Sequence, residues 1–114
     1  MASGRPKYTL TQHADAQNVL YAFVSVGAVV YIGKTVQRLK TRMYGYENPV
    51  ATQSTNLKGN KFLLEFLSKG LPVEIHALPD SGLLYYGGFH VNLAAGLEDS
   101  LVAALKPTWN KNGI

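Results

Sequence analysis

The sequence predicts an α+β fold with a short sheet, its elements running β-β-α-α-β-α. Three observations carry that expectation. Residues 19–32 hold two β-branched and aromatic runs on either side of Gly27, the pattern of a hairpin. Two apolar faces at helical spacing follow, Leu39 with Met43 and then Phe62-Leu63 with Phe66-Leu67. Finally, Val73, Ile75 and Ala77 alternate against Glu74 and His76, and Leu97, Leu101 and Leu105 recur every fourth residue.

In chain order, residues 1–18 are small and polar without a sustained period and read as an arm or tail. Strands are expected over 19–26 and 28–32, joined at Gly27. Thr35 is the candidate N-cap of a helix over 36–46, which Gly45 and Pro49 end. Residues 47–55 form a polar loop with Asn48 and Gln53, and Asn56 is expected to cap a helix to Lys69 that Gly70 stops. A strand over 73–78, a Gly-rich irregular stretch over 79–90 and a helix over 91–106, closed by Pro107, complete the domain. The domain is expected to span 19–110, with 111–114 as a tail.

A chain of 114 residues makes one core, and 46% hydrophobic with 16% charged residues is a folding composition. The net charge of +4 leans toward a polyanionic partner. No cysteine is present, which excludes disulfides and thiolate zinc sites and suits the cytoplasm. Residues 1–6 lack the apolar core of a signal peptide, and no run approaches the ~20 apolar residues of a membrane span. A cytoplasmic domain without a membrane partner is expected.

Chemistry concentrates in the hairpin and the basic segment after it. Tyr21 and Tyr31 sit ten residues apart on neighbouring strands, and Lys34, Arg38, Lys40 and Arg42 lie just beyond. Phenols followed by cations suit the handling of a phosphodiester. Residues 28–35 also fit a permissive phosphate-loop pattern ending Gly33-Lys34-Thr35, but Val29, Val30, Tyr31 and Ile32 favour extended structure over a loop of converging amides.

These residues resemble the GIY-YIG nuclease superfamily over nearly everything from Val19 to Asn110. Tyr31-Ile32-Gly33 agrees with the second triplet in full, and Val19-Leu20-Tyr21 keeps the tyrosine of the first without its glycine. The helix arginine of the family is carried best by Arg42, with Arg38 as its rival. Its helix tyrosine or histidine matches Tyr46, the lysine after the second triplet Lys34, the metal-binding glutamate Glu98 and the late asparagine Asn110. The resemblance implies a three-stranded antiparallel sheet flanked by helices, one divalent ion (Mg2+ or Mn2+) on Glu98, and hydrolysis of nucleic acid.

On this reading Tyr21 takes the proton of the attacking water, Lys34 favours its phenolate, and Tyr31 orders the same network. Arg42 and Tyr46, four residues apart on one helix face, hold the phosphate. For Glu98 the alternative is an ion pair with Lys34 or Arg42 and no metal. Arg38, Lys40, Asn48, Gln53, Asn56, Lys58, Lys61 and Asn110 are candidates for contacting nucleic acid, although ordinary loop composition or a tie to the C-terminus explains several of them equally well. Trp109 reads as a core plug. DNA, duplex or branched, is the expected substrate, RNA ranks below it, and a homodimer is one route to specificity. The rival function is a nuclease-derived module that binds nucleic acid without cutting.

Overall fold

The computed structural model describes residues 8–50, 53–79 and 85–111. Strand β1 (Val19–Ser25) is the middle of a three-stranded antiparallel sheet, between β2 (Ala28–Thr35) and β3 (Glu74–Pro79). Val26 and Gly27 make the β1–β2 turn with φ of 52° and 74°, a two-residue geometry whose twist suits a hairpin. Between Phe23 and Val24 the register shifts and leaves Val30 unpaired. This bulge brings Val30 and Tyr31 to the same side of the sheet. The whole segment fitting the phosphate-loop pattern is therefore strand, and its amides alternate rather than converge.

The sheet separates two cores. On one face Val19, Tyr21, Phe23 and Tyr31 pack with Leu39, Met43 and Tyr46 of α1 (Leu39–Glu47), Leu63 of α2 (Ser54–Ser68) and Trp109 of α4 (Thr108–Lys111). Trp109 stacks on Phe62 with ring centroids 5.3 Å apart and meets Phe23 and Phe66 edge-on, the plug expected of it. On the other face Leu20 and Ile32 pack with Ala94, Leu97, Leu101 and Val102 of α3 (Leu93–Leu105). Val19, where the first family triplet has glycine, is a fully buried core residue.

Several boundaries differ from expectation for local reasons. Strand β2 runs on to Thr35, whose hydroxyl accepts the Gln37 N–H at 3.0 Å and caps no helix. Helix α1 starts at Leu39 with no side-chain cap. Its leading N–H groups, on Leu39 and Lys40, bond instead to the carbonyls of Ala16 and Ala14, both at 2.9 Å. The described part of the arm is thus tied down, with Tyr8, Leu10 and Ala16 packed on the core. Gly45 lies inside α1 rather than ending it, and Asn56 lies in the first turn of α2 rather than before it.

Gly70 follows α2 with φ of 75°, as a left-handed stop. The Asn92 side chain accepts the Ala95 N–H and caps α3. The irregular stretch contains a small hairpin, β4 (Tyr85–Tyr86) with β5 (Phe89–His90), turning at Gly87. Residues 1–7 of the expected arm, 51–52 of the polar loop, 80–84 of the Gly-rich stretch and 112–114 of the tail lie outside the described residues. No helix among the described residues is long and apolar enough to cross a membrane.

Candidate active site

Helix α1 lays Arg42 and Tyr46 over the sheet face that carries Tyr21. Arg42 Nε donates to the Tyr21 hydroxyl at 3.0 Å and Nη2 to the Tyr46 hydroxyl at 3.0 Å, and the two hydroxyls are 2.7 Å apart. The guanidinium carbon also stands 4.5 Å from the Tyr46 ring centroid, a cation–π contact. Arg42 Nη1 donates to Asn56 Oδ1. Tyr31 packs beside Tyr21, with their ring centroids 6.2 Å apart. Its hydroxyl has no hydrogen-bond partner among the described residues.

Glycine makes this packing possible. A Cβ at Gly33 would lie 2.7 Å from the Tyr21 hydroxyl and 2.8 Å from the Tyr31 ring. The last residue of the Tyr31-Ile32-Gly33 triplet is therefore the floor on which both phenols rest.

Burial raises the Tyr21 phenol well above the ordinary tyrosine range, and Tyr31 adds to the rise while Arg42 and the Tyr46 hydrogen bond oppose it. Tyr46 is raised in the same direction, again chiefly by burial. Both phenols stay protonated at neutral pH. Lys34 does not act on Tyr21, so the expected lysine-assisted phenolate at position 21 is corrected. Strand alternation explains why: Lys34 pairs with Leu20 and stands on the α3 face, whereas Tyr21 pairs with Gly33 and stands on the α1 face.

Lys34 meets Glu98 of α3 instead, Nζ to Oε1 at 3.6 Å, with the glutamate side chain 21% exposed. The anticipated ion pair is present. The expected residues thus gather in two groups on opposite faces of the edge strand β2, and Gly33 and Lys34 are the adjacent residues joining them. No cluster of three or more His, Cys, Asp or Glu side chains able to hold a metal occurs among the described residues. Glu98 alone fits an ion that takes most of its ligands from water and substrate oxygens, as magnesium does.

Asn110 closes the β2 edge. Its Oδ1 accepts the Ile32 N–H at 2.9 Å and its Nδ2 donates to the Ile32 carbonyl at 3.0 Å, completing the ladder as a neighbouring strand would.

No protein-family model matches the chain, and no curated protein matches it significantly. Among solved structures it is similar to the E118A mutant of bacteriophage T4 EndoII. The TM-score is 0.70 at 24% identity, over 94% of this chain and 81% of that one. The chain has the GIY-YIG fold. That likeness fixes the architecture around the site.

The remaining expected nucleic-acid contacts are scattered over this GIY-YIG scaffold. Arg38, Lys40, Gln53, Lys58 and Lys61 are exposed. Lys40 is paired with Asp15 at 2.9 Å, and Asn48 donates to Glu47 at 3.3 Å. Asn56 departs from expectation: it is 4% exposed, with Oδ1 on Arg42 and Nδ2 donating to Gln53 Oε1 at 2.8 Å. Asn56 is expected to precede α2 as its cap, whereas its place in the first turn of the helix turns it inward. Asn60, which drew no attention in the sequence, donates to the Tyr46 carbonyl at 2.8 Å.

Proposed function

We propose that the protein is a GIY-YIG-type endonuclease that hydrolyses DNA phosphodiesters with one divalent ion, magnesium or manganese, at Glu98. The observation that carries this reading is the charge balance at Arg42. Its half-buried guanidinium is held by three neutral acceptors, and no carboxylate lies within ion-pairing distance of it among the described residues. A cation kept in such a pocket without a counter-ion is suited to an oxyanion. Of the five guanidinium N–H groups, three are used and two remain for phosphate oxygens.

Tyr21 and Tyr46 each accept one N–H from Arg42 and share one hydrogen between themselves. One phenolic O–H is left over as a donor to the phosphate. The scissile group is placed across the β2 edge at Gly33, between the phenols on one face and Glu98 with Lys34 on the other. Water attacks phosphorus in line, its oxygen forming the new P–O bond as the P–O3′ bond breaks. Tyr31, the phenol with no hydrogen-bond partner among the described residues, accepts a hydrogen bond from that water and relays its proton to solvent, and the departing 3′ oxygen takes one from solvent. The ion at Glu98, when bound, supplies a Lewis acid for the phosphate and leaving oxygens. Lys34 balances the glutamate when the ion is away.

Nicking of supercoiled plasmid tests the reading, with magnesium or chelator and with Arg42→Ala beside the wild type. Nicking by the wild type in magnesium alone is expected. A wild-type protein inert on duplex, branched and single-stranded DNA would sink the proposal. Binding without cleavage is the second reading, favoured by the Lys34–Glu98 pair, and it predicts salt-sensitive DNA affinity in that inert protein.

A further inference from the structure

Resting on the nuclease reading, we infer that Asn56 is a positioning residue that aims the Arg42 guanidinium without neutralising it, and that Gln53 sets which way its amide faces. The Gln53 oxygen draws the Asn56 NH2 toward itself, so the Asn56 oxygen is the end presented to Arg42. Both glycines at the contact between α1 and α2 serve this arrangement. A Cβ at Gly45 would lie 2.9 Å from Asn56 Nδ2, and one at Gly59 would lie 2.5 Å from the Tyr46 ring. The two helices therefore approach closely at the points where Asn56 reaches Arg42 and where Tyr46 seats under it. Asn60 holds the Tyr46 carbonyl from the same helix.

The choice of amide over carboxylate is the telling feature. Aspartate has nearly the same shape and would make a stronger, charge-assisted bond to Arg42. It would also cancel the charge that the pocket otherwise keeps for a phosphate. A side chain selected for packing alone would gain from that exchange; one selected to orient an available cation would lose by it. Stability and activity should then move in opposite directions.

Asn56→Asp is the decisive variant. Its melting temperature should match or exceed wild type, while kcat for nicking falls at least about 30-fold. The salt slope of DNA binding should shrink by roughly one counter-ion. Asn56→Ala should broaden the Arg42 Nε–H resonance in a 15N spectrum whose backbone signals stay native. Gln53 is exposed, and Gln53→Ala gives a folded variant should position 56 not tolerate change; its kcat should drop several-fold (about 3–10) at unchanged melting temperature.

Inorganic phosphate provides a readout independent of cleavage. Titration should shift the Arg42 Nε–H signal saturably in the wild type and leave it in place in Asn56→Asp. Equal responses, no response in the wild type, or an Asn56→Asp enzyme within about threefold of wild-type kcat would overturn the inference. A wild type that binds phosphate at Arg42 yet cuts no DNA would instead remove the nuclease reading and leave Asn56 in its role.

Discussion

The hydroxyls of Tyr21 and Tyr46, one from a strand and one from a helix, lie 2.7 Å apart, and each takes an N–H from Arg42. Two protonated phenols joined by one hydrogen bond beside a cation keep their second hydroxyl hydrogen free to donate. Burial works against either one losing its proton.

Alkaline pH should expose this. The folded state holds the protons of Tyr21 and Tyr46 more tightly than the unfolded chain, where tyrosine ionises near pH ~10. Their contribution to stability is complete below that pH and is lost as pH rises above it. Urea unfolding between pH ~8 and ~11 should show stability falling from about pH 10, and the fall should be shallower in Tyr46→Phe.

Tyr31 and Tyr21 should separate kinetically. Replacing Tyr31 by Phe should reduce kcat by about 10²-fold or more, with little change in fold stability. Tyr21→Phe leaves the Arg42 Nε–H without its acceptor and should cost about 1–3 kcal/mol of stability, yet lower kcat by less than Tyr31→Phe does. A near-complete loss of kcat in Tyr21→Phe with near-normal kcat in Tyr31→Phe would return the proton-accepting role to Tyr21.

Gly33→Ala should be severe for a single methyl group. Its Cβ meets the Tyr21 and Tyr31 rings at 2.7–2.8 Å, so one ring must leave its place. Thermal and urea unfolding should report a loss of about 1–3 kcal/mol, and the Tyr21 ring resonances should shift.

Glu98→Gln should do the reverse. The Lys34–Glu98 pair is partly exposed at 3.6 Å, so its removal should barely move the melting temperature. Plasmid nicking should disappear, with DNA binding largely kept. Isothermal titration of manganese should lose the heat seen with wild type.

Alternation and periodicity made the sheet and the three longer helices legible, because burying a face forces a repeat on the sequence. The spacing of Arg42 and Tyr46 likewise placed both over one patch. Strand parity separates Tyr31 from Lys34, since three residues along a strand reverses the face. Helix α4 is too short to show a period. The inward roles of Asn56, Gln53 and Asn60 carry no signal in one sequence, because a buried amide and a solvated one are spelled alike. Gly59 reads as a weak spot in a helix, and only the Tyr46 ring beside it explains why no side chain fits.

The carbonyls of Ala14 and Ala16 reach across to the start of α1. Trimming the polypeptide at the apparent domain edge, before Val19, would therefore leave the helix that bears the guanidinium with a frayed first turn. An excised fragment that begins there should look mostly intact by circular dichroism and still be a poor catalyst, a failure easily mistaken for lost chemistry.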